Sequence, residues 1–395
     1  MRFLQITKKG MVWILKIFCR IFYVVVPVKD NSIVFMAYHG RGYLDNPKAI
    51  YEEMIKDPRF KNYQFYWILR HKKDCPSNAI SVKYMSFRYL YVFARAKYWV
   101  VNCKLPQYIY KKKNQIYLQT WHGTPLKKLG HDIDVSADTK FYRSGLSQKE
   151  MLGTYDNDVA KYDYLISPNP FTTKVFPSAF HISPEKLIEI GYPRNDILSK
   201  QNTELIKTIK KTLNLPIDKK VILYAPTWRD NSFVTKGYTF ELKADFKKWK
   251  KVLQDEYIVL FKPHYLIVNK IDSTYDQELN GFLYSVDADY DINYLYLISD
   301  ILITDYSSVF FDYAILNRPI YFYMYDRNNY QHQLRGFYLD VDKDLPGKVY
   351  ENENKMLEDV KTKNFDYQRL KEFNRKFNCF QDGQCSKKVI DKVFC

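Results

Sequence analysis

The 395-residue sequence lacks several patterns that would assign it directly to a class. Its six cysteines are widely spaced and include no Cys-x-x-Cys pair, which argues against a disulfide scaffold and favours a reducing compartment. It has no signal-peptide cleavage pattern, no internal repeat and no low-complexity tract. Zinc-finger spacing and the RNP pattern of single-strand binders are also missing, so we expect no nucleic acid partner.

The N-terminal 28 residues lack an uninterrupted apolar run of membrane-spanning length, because charges interrupt the apolar stretch at 11–26. Apolar residues flank one polar stripe, a pattern typical of a helix that lies in a membrane interface. The net charge of +17 suits an anionic membrane surface. The alternative is a helix packed on the protein's own core. The stripe recurs at spacings of three, four or seven and consists of Arg2, Gln5, Lys9, Lys16 and Arg20.

The length and an apolar fraction of 46% predict two core-bearing domains. Short apolar segments alternate with helical stretches, which predicts parallel sheets with right-handed crossovers. The predicted strands lie at 33–37, 66–69, 98–101, 116–118, 221–225, 257–261, 301–304 and 319–322. Helices are expected at 86–96 and after Asp45, with Asn46 as N-cap and Pro47 at the first position. The polar stretch 202–219 marks the junction. We therefore predict a membrane-associating segment at 1–28, a first doubly wound domain at 29–205 and a second at 206–395, with a terminal helix.

The segment 119–130 carries the strongest chemical signal. It places His122, two glycines, two hydroxyls and two lysines directly after the strand-like run 116–118. Glycines let the backbone approach a ligand closely, and lysines suit an anion such as phosphate. An imidazole in the same loop can take a proton from an attacking alcohol. The segment therefore indicates phosphoryl or glycosyl transfer, with an ordinary turn as the alternative.

Four further motifs place hydroxyl, basic or imidazole groups at turns or at the ends of predicted strands. Ligands of doubly wound sheets bind at those carboxyl ends, and such groups suit phosphate. Taken singly, the arginine motif also fits a surface turn, and the serine motif fits simple N-capping. The residues are Arg194 in the turn 191–196, Thr227 and Arg229 after the strand at 221–225, Lys262 and His264 after the strand at 257–261, and Ser307 and Ser308 after the strand at 301–304.

The ordered set of WHGTP at 121–125, GYPRND at 191–196, APTWRD at 225–230, KPH at 262–264 and TDYSSVFFD at 304–312 resembles a known family. It is similar to the CDP-glycerol glycerophosphotransferases, the bacterial teichoic-acid primases and polymerases. The resemblance extends from HGRGYLDNPKAIY at 39–51 to FQDGQ at 380–384. It implies an α/β fold of the GT-B type, in which two Rossmann-like domains face each other across a cleft.

The resemblance also implies roles for individual residues. His122 corresponds to the catalytic base, and His264 would contact the donor phosphates and assist catalysis. Family members often carry Arg-Met-His where Lys262-Pro263-His264 stands, so lysine offers a point charge in place of a guanidinium fork. The loop containing His39 and Arg41 is a candidate site for acceptor phosphate. The donor-binding set is Trp121, Gly123, Thr124, Pro125, Arg194, Pro226, Thr227, Arg229, Lys262, Pro263, Ser307, Ser308 and Asp312.

The implied reaction is transfer of glycerol phosphate from CDP-glycerol, or ribitol phosphate from CDP-ribitol, to a hydroxyl of a lipid-linked acceptor with release of CMP. The expected location is peripheral, on the cytoplasmic face of the cell membrane. The alternatives are a nucleotide-sugar-dependent GT-B glycosyltransferase and an inactive membrane-bound scaffold. No cluster of carboxylates and histidines has metal-ligand spacing, so we expect no tightly bound metal or cofactor. A loosely held Mg²⁺ on the pyrophosphate stays compatible with the sequence.

Overall fold

The computed structural model describes residues 2–133, 147–200, 202–227, 233–234, 237–238, 243–262, 274–287, 289–327 and 336–394. The chain divides into two compact units. The first unit comprises Met1–His122, Ser147–Asp196 and Asp382–Cys395. The second comprises Gly123–Leu146 and Ile197–Gln381.

The first unit is built on a seven-stranded sheet in which all neighbouring strands are parallel. Its strands are β1 (Lys29–Met36), β2 (Gln64–Leu69), β3 (Ile80–Lys83), β4 (Ala96–Val101), β5 (Ile116–Gln119), β6 (Tyr164–Ser167) and β7 (Leu187–Glu189). Their order in the sheet is β3-β2-β1-β4-β5-β6-β7. This order places the first strand in the interior of the sheet, as a doubly wound topology requires.

The helices of the first unit are α1 (Arg2–Val25), α2 (Asp45–Met54), α3 (Phe87–Arg95), α4 (Gln148–Val159), α5 (Pro170–Phe180) and, from the C-terminus, α13 (Cys385–Val393). One face of the sheet packs its strand residues against α2 and α13 in a single buried cluster. On α3, the Phe93 ring contacts Trp99 of β4 at 5.1 Å. Ser86 caps α3 by accepting from the Tyr89 amide, as serine does at helix starts.

The second unit contains a six-stranded parallel sheet. Its strands are β8 (Lys220–Ala225), β11 (Tyr257–Phe261), β12 (Leu283–Ser285), β13 (Ile301–Thr304), β14 (Ile320–Tyr323) and β15 (Val349–Tyr350). The order β12-β11-β8-β13-β14-β15 again puts the first strand in the interior. A separate antiparallel pair is formed by β9 (Phe233–Val234) and β10 (Gly237–Tyr238).

Among the described residues, the helices of the second unit are α6 (Thr203–Thr212), α7 (Phe246–Leu253), α8 (Thr274–Leu279), α9 (Ile292–Ile298), α10 (Val309–Tyr313), α11 (Glu353–Thr362) and α12 (Tyr367–Phe377). A buried cluster joins one face of the sheet to α7 and α11. Aromatic pairs such as Phe310 with Phe373 join α10 to α12. Gly347 is required by close packing, because a Cβ there would lie 2.0 Å from the Ile320 carbonyl oxygen.

The structure confirms all eight strands predicted from apolar runs and the helices expected at the N-terminus, after Asp45 and at 86–96. Among the described residues, no helix combines the length and the apolar character that crossing a bilayer requires. The polar stretch 202–219, predicted as a junction, contains α6. Asn46 is not the N-cap of α2: that position is Leu44, which makes no side-chain cap, and Asn46 lies buried inside the helix start.

The terminal helix α13 packs in the first unit, whereas its position in the sequence suggested the second domain. Both oxygens of Asp196 accept from the first amides of α13, at Cys385 and Ser386 (2.9 and 2.8 Å). A carboxylate at a helix N-terminus satisfies amides that have no partner within the helix. The Phe394 ring then contacts Tyr98 at 4.8 Å. Capping and ring packing together hold the last helix on the first sheet.

Candidate functional site

Several chemically active side chains follow strands of the first sheet at its carboxyl edge. His39 follows β1, Asn102 follows β4, His122 follows β5 and Arg194 follows β7. Because all strands in this sheet are parallel, these loops emerge at one edge. The structure therefore brings together four positions that are separated by up to 155 residues in the sequence.

His122 is held in a defined tautomer. Its Nδ1 lies 2.8 Å from the carbonyl oxygen of Asn102. A carbonyl only accepts, so Nδ1 carries the proton, and the lone pair of a neutral ring is on Nε2. The His122 residue is exposed to solvent. Desolvation by the surrounding protein lowers the pKa of His122 from 6.5, although the Asn102 carbonyl and Asp45 act in the opposite direction. The imidazole is therefore neutral at pH 7 and can accept a proton at Nε2.

The buried side chain of Trp121 fixes the loop that carries His122. Its amide donates to Gln119 Oε1 at 3.0 Å, and its ring stacks on the His122 ring at 4.6 Å. The indole ring also contacts the Phe180 ring of α5 at 4.7 Å. Trp121 has a φ of 53°, a left-handed conformation that non-glycine residues rarely adopt. The imidazole therefore lies on a strained turn, and the side chain of Trp121, the residue before it, is buried.

Arg194 is buried in an ion pair with Asp45. The Arg194 Nη1 donates to Asp45 Oδ2 at 2.6 Å and to the carbonyl oxygen of His122 at 2.9 Å. Tyr38 OH donates to the same carboxylate oxygen at 2.5 Å. Desolvation alone would raise the pKa of Asp45, but Arg194 and the hydrogen bonds outweigh it and hold that pKa below its ordinary value. Both charges are therefore present at neutral pH, and Arg194 contacts the backbone of the His122 loop.

The loop after β1 is lined by positive charge. Burial lowers the pKa of His39 to about 4, and Arg41, Arg70, His122 and Lys104 lower it further. His39 is therefore neutral at pH 7, surrounded by cationic groups. The backbone turns sharply here, with φ of 56° at His39 and 77° at Gly40. A Cβ at Gly40 would meet the Ile68 carbonyl oxygen and Tyr84 at 3.2 Å, so the turn requires glycine.

The second sheet presents its own set of polar groups at a carboxyl edge. Pro226 and Thr227 follow β8, Lys262 follows β11 and Ser307 follows β13, and these three strands are neighbours in the order β11-β8-β13. The Thr227 amide donates to Asp305 Oδ1 at 2.7 Å, which ties two of these loops together. The edge thus gathers hydroxyl, amide and ammonium groups within one unit.

Lys262 carries a perturbed ammonium group. Burial lowers the pKa of Lys262 to about 8, against the opposing effect of Asp289, Asp291 and Asp287. Its Nζ donates to the Asp287 carbonyl oxygen at 3.1 Å. A desolvated cation of this kind interacts strongly with an anion that reaches it.

Ser307 and Ser308 precede α10, as the sequence predicted. Ser308 occupies the N-cap position and makes no side-chain cap, while the Val309 amide lies 3.5 Å from Ser307 Oγ. Asp312 is buried on the same helix. Gly123, Thr124 and Pro125 begin the second unit and are buried, and Leu126 accepts from the Tyr338 amide at 2.9 Å. Arg229, Pro263 and His264 lie outside the described residues.

Three residues that hold His122 were missed as site residues in the sequence. Asn102 supplies a backbone carbonyl, which carries no side-chain signal. Gln119 accepts a hydrogen bond from the backbone amide of Trp121, two residues away. Asn46 donates to the carbonyl oxygens of Thr120 and Trp121, about 75 residues away. The sequence predicts the Asp45-Asn46-Pro47 segment only as a helix start. The burial of Asn46 and its distant partners, which indicate a second role, are visible only in the structure.

Two doubly wound sheets with hydroxyl, amide and ammonium groups at their strand ends are typical of nucleotide-binding enzymes. A profile of the CDP-glycerol:poly(glycerophosphate) glycerophosphotransferase family matches residues 17–395. The chain belongs to that family. It is 40% identical over 378 residues to a teichoic acid glycerol-phosphate transferase of Staphylococcus aureus, covering 92% of this chain and 93% of the relative.

Solved structures agree with this assignment. The wall teichoic acid polymerase TagF superposes with a TM-score of 0.86 at 39% identity, over 99% of this chain and 96% of that chain. A variant of the same polymerase soaked with CDPG superposes with a TM-score of 0.84 at 40% identity, over 100% of this chain and 96% of that chain. The described fold is thus shared with a polymerase of which a variant was soaked with CDPG.

Proposed function

We propose that this chain transfers glycerol phosphate from CDP-glycerol to a terminal hydroxyl of a lipid-linked acceptor, releasing CMP, in the synthesis of teichoic acid or a related surface polymer. The observation that carries the proposal is the fixed tautomer of His122, whose Nδ1 donates to the Asn102 carbonyl and whose Nε2 is left as a base. Family membership and the TagF structure soaked with CDPG support the choice of donor.

The chemistry is an in-line displacement at the β-phosphorus of CDP-glycerol. The acceptor oxygen forms a bond to that phosphorus, and its proton passes to His122 Nε2. The bond from phosphorus to the bridging oxygen breaks, and the electron pair leaves with CMP. Such a transfer depends mainly on positioning and charge stabilisation, which this chain supplies with hydroxyls and cations at strand ends.

The second unit is the proposed donor side. Lys262, Ser307 and Thr227 lie at the ends of three adjacent parallel strands, where doubly wound sheets bind nucleotides. Lys262 would neutralise charge on the pyrophosphate, and the hydroxyls of Ser307 and Ser308 would donate to its oxygens. From the family resemblance, His264 joins this set, although it lies outside the described residues.

The first unit is the proposed acceptor side. His122 emerges there, and the neighbouring loop of His39 and Arg41 lies among the cationic groups Arg70 and Lys104. These charges suit the phosphates of a growing polyol-phosphate chain. We further propose that the fold is of the GT-B type. Agreement with TagF over nearly the whole chain supports this fold type.

We propose that the enzyme binds the cytoplasmic face of the membrane through an apolar surface on α1 and the start of α3. Cys19 and Tyr23 of α1 are buried, and the Phe22 ring contacts Phe87 of α3 at 5.2 Å. The side chains left exposed repeat at helical spacing, as in interfacial helices. This apolar surface consists of Ile14, Ile17, Phe18, Ile21, Val24 and Val25 on α1, with Phe87 of α3 beside Phe18.

Donor identity is tested by supplying CDP-glycerol, CDP-ribitol and a UDP-sugar separately to the purified protein with a lipid-linked acceptor. Free nucleotide and chain extension are then measured by chromatography and mass spectrometry. We expect CMP release and an added glycerol phosphate with CDP-glycerol. Release of UDP with transfer of a sugar would instead establish a glycosyltransferase. No product from any donor would indicate an inactive scaffold.

Membrane binding is tested by sedimentation with phosphatidylglycerol vesicles. Ile21 on the apolar surface is 64% exposed, and Ile217 of the second unit is 69% exposed. Ile21→Glu places a charge in the proposed interface and should reduce the membrane partition coefficient by at least about tenfold, since burying a carboxylate in lipid costs more than about 1.4 kcal/mol. Ile217→Glu is the matched control and should bind like the original protein. Equal binding of both variants would refute the assigned surface.

A further inference from the structure

A single buried side chain holds both ends of the hydrogen bond that fixes His122. Gln119, the last residue of β5, is fully buried. Its Oε1 accepts from the amide of Trp121, next to His122, at 3.0 Å. Its Nε2 donates to the carbonyl oxygen of Cys103, next to Asn102, at 3.3 Å. Because His122 Nδ1 bonds to the Asn102 carbonyl, Gln119 sets the position of both the donor and the acceptor of that bond.

The orientation of the Gln119 amide is fixed by two buried phenols. Its Nε2 lies 3.2 Å from the Tyr117 hydroxyl and 3.3 Å from the Tyr162 hydroxyl. Both hydroxyls donate to Asp158 Oδ2, at 3.3 and 2.7 Å, so their oxygens are left as acceptors. A flipped amide would place Oε1 against these acceptors and Nε2 against the N–H of Trp121. Only one orientation of Gln119 therefore satisfies the network.

The Asp158 side chain sets the direction of these hydrogen bonds. Asp158 lies near the end of α4 and is fully buried. Two further donors reach its carboxyl group: Lys161 Nζ lies 3.4 Å from Oδ1, and the Leu105 amide forms a hydrogen bond. Burial raises the pKa of Asp158, but a proton on the carboxyl group would compete with these donors, which favours the carboxylate. Burial and Asp158 raise the pKa of Tyr117 and Tyr162, so both phenols keep their protons.

The turn that Gln119 holds is strained. Trp121 has a φ of 53°, in the left-handed region that bulky residues rarely adopt. Such a conformation persists only where the surrounding structure fixes it. The bond from the Trp121 amide to Gln119 is one of these constraints, and a change of φ at Trp121 would rotate the backbone that carries His122. The buried network therefore acts on the imidazole through the turn that precedes it.

We propose that Gln119 and Tyr162 are positioning residues for His122. Asp158 directs them, because it accepts from Tyr162 and so leaves the phenol oxygen to orient Gln119. The inference rests on the function proposed above, in which His122 accepts the acceptor's proton. The three side chains of the network are at most 2% exposed, so their effect on the reaction is transmitted through hydrogen bonds.

A double-mutant cycle tests whether the two residues act as one unit. Steady-state CMP release from CDP-glycerol is measured for Gln119→Met, Tyr162→Phe and the double variant. Gln119→Met keeps a side chain of similar length without its hydrogen bonds and should lower kcat by about 100-fold, the typical effect of displacing a catalytic group by about 1 Å. Tyr162→Phe should lower kcat by about tenfold, because Gln119 retains the Tyr117 hydroxyl. In the double variant, loss of the Tyr162 hydroxyl should add less than about twofold.

Tyr51→Phe is the matched control. Tyr51 lies on α2 in the same unit and is fully buried, and its hydroxyl has no hydrogen-bond partner among the described residues. The variant removes the same atom from the core of the same unit without touching the loop, so kcat should stay within about twofold of the original protein. An equal fall in kcat for Tyr51→Phe and Tyr162→Phe would overturn the inference, because the loss of any buried hydroxyl would then have this effect.

A second readout follows the imidazole without turnover. In protein labelled with ¹⁵N-histidine, the His122 resonances, assigned with His122→Ala, should show the Nδ1–H tautomer. In Gln119→Met and Tyr162→Phe they should shift towards the mixture of tautomers found in free histidine, because the Asn102 carbonyl no longer holds the proton on Nδ1. In Tyr51→Phe they should not change. Circular dichroism verifies that each variant is folded, and Tyr162→Phe, which loses a single oxygen, is the variant to use if Gln119→Met does not fold.

Two other outcomes would overturn the inference. One is additivity, in which the double variant loses about 1,000-fold in kcat, the product of the single effects. The other is an unchanged His122 tautomer in Gln119→Met. If the original protein releases no CMP from CDP-glycerol, the proposed function fails. The tautomer measurement still decides whether the buried network positions His122.

Discussion

Removing the Arg194 side chain with Arg194→Leu should destabilise the first unit strongly. Arg194 and Asp45 have side chains that are only 7% and 4% exposed, and their charged atoms lie 2.6 Å apart. Breaking a buried ion pair by removing one partner typically costs about 3–5 kcal/mol, because the remaining charge stays buried without compensation. Asp45 would keep its bonds from Tyr38 and the Asn46 amide, so we expect the lower half of this range, about 3–4 kcal/mol.

The destabilisation should depend on pH in a specific direction. In the original protein the pKa of Asp45 is lowered, so its stabilising effect is complete above its unfolded pKa of about 3.9 and is lost only as pH falls through the lower folded value. In Arg194→Leu, desolvation dominates and raises the pKa of Asp45 above the unfolded value. Protonation then relieves the buried charge, so the stability difference should shrink as pH falls from 7 towards 4.

Urea unfolding followed by tryptophan fluorescence at several pH values provides the measurement. Trp67, Trp99 and Trp121 are all buried in the first unit and report on it. The control is Arg59→Leu, because Arg59 makes solvent-exposed ion pairs in the same unit and its removal should change the unfolding midpoint little. A difference between Arg194→Leu and the original protein that is below about 1 kcal/mol, or constant with pH, would refute the reasoning.

Three further predictions follow from single sites. Because the pKa of Lys262 is lowered to about 8, kcat/KM for CDP-glycerol should fall as pH rises through 8, and Lys262→Arg should abolish that fall in a pH-rate profile. Gly347→Ala places a Cβ against the Ile320 carbonyl and should cost about 1–3 kcal/mol in urea unfolding, so an unchanged midpoint would contradict the close packing. Burial raises the pKa of Cys103 to about 12, so iodoacetamide should modify exposed Cys379 in native protein and leave Cys103 intact, which peptide mass spectrometry can check.

Apolar runs were sufficient to predict the central strands of both sheets. Segments such as 221–225 and 257–261 are continuous apolar stretches, because central parallel strands are buried on both faces. Shorter strands at the sheet edges were not predicted. The strand Ile80–Lys83 alternates apolar and polar residues over four positions, and Leu187–Glu189 has only three residues. Such short segments lack the continuous apolar run on which the strand prediction relied.

The reactive side chains could be predicted, but their supports could not. His122 follows an apolar strand and adjoins glycine, so its position at a carboxyl edge was visible in the sequence. Asn46 was interpreted from its neighbours as a helix cap, because local rules consider only adjacent residues. Its actual partners are carbonyls about 75 residues away. Likewise, Asp196 caps a helix 189 residues later, which no local pattern indicates.

The central claim is that His122 accepts the acceptor's proton during transfer from CDP-glycerol. The most direct test is the rate of CMP release by His122→Ala with CDP-glycerol and a lipid-linked acceptor. Circular dichroism and vesicle sedimentation verify that the fold and membrane binding are unchanged. We expect kcat to fall by about 10²–10⁴-fold, the usual contribution of general base catalysis. Turnover within about threefold of the original protein would contradict the assignment of His122 as the base.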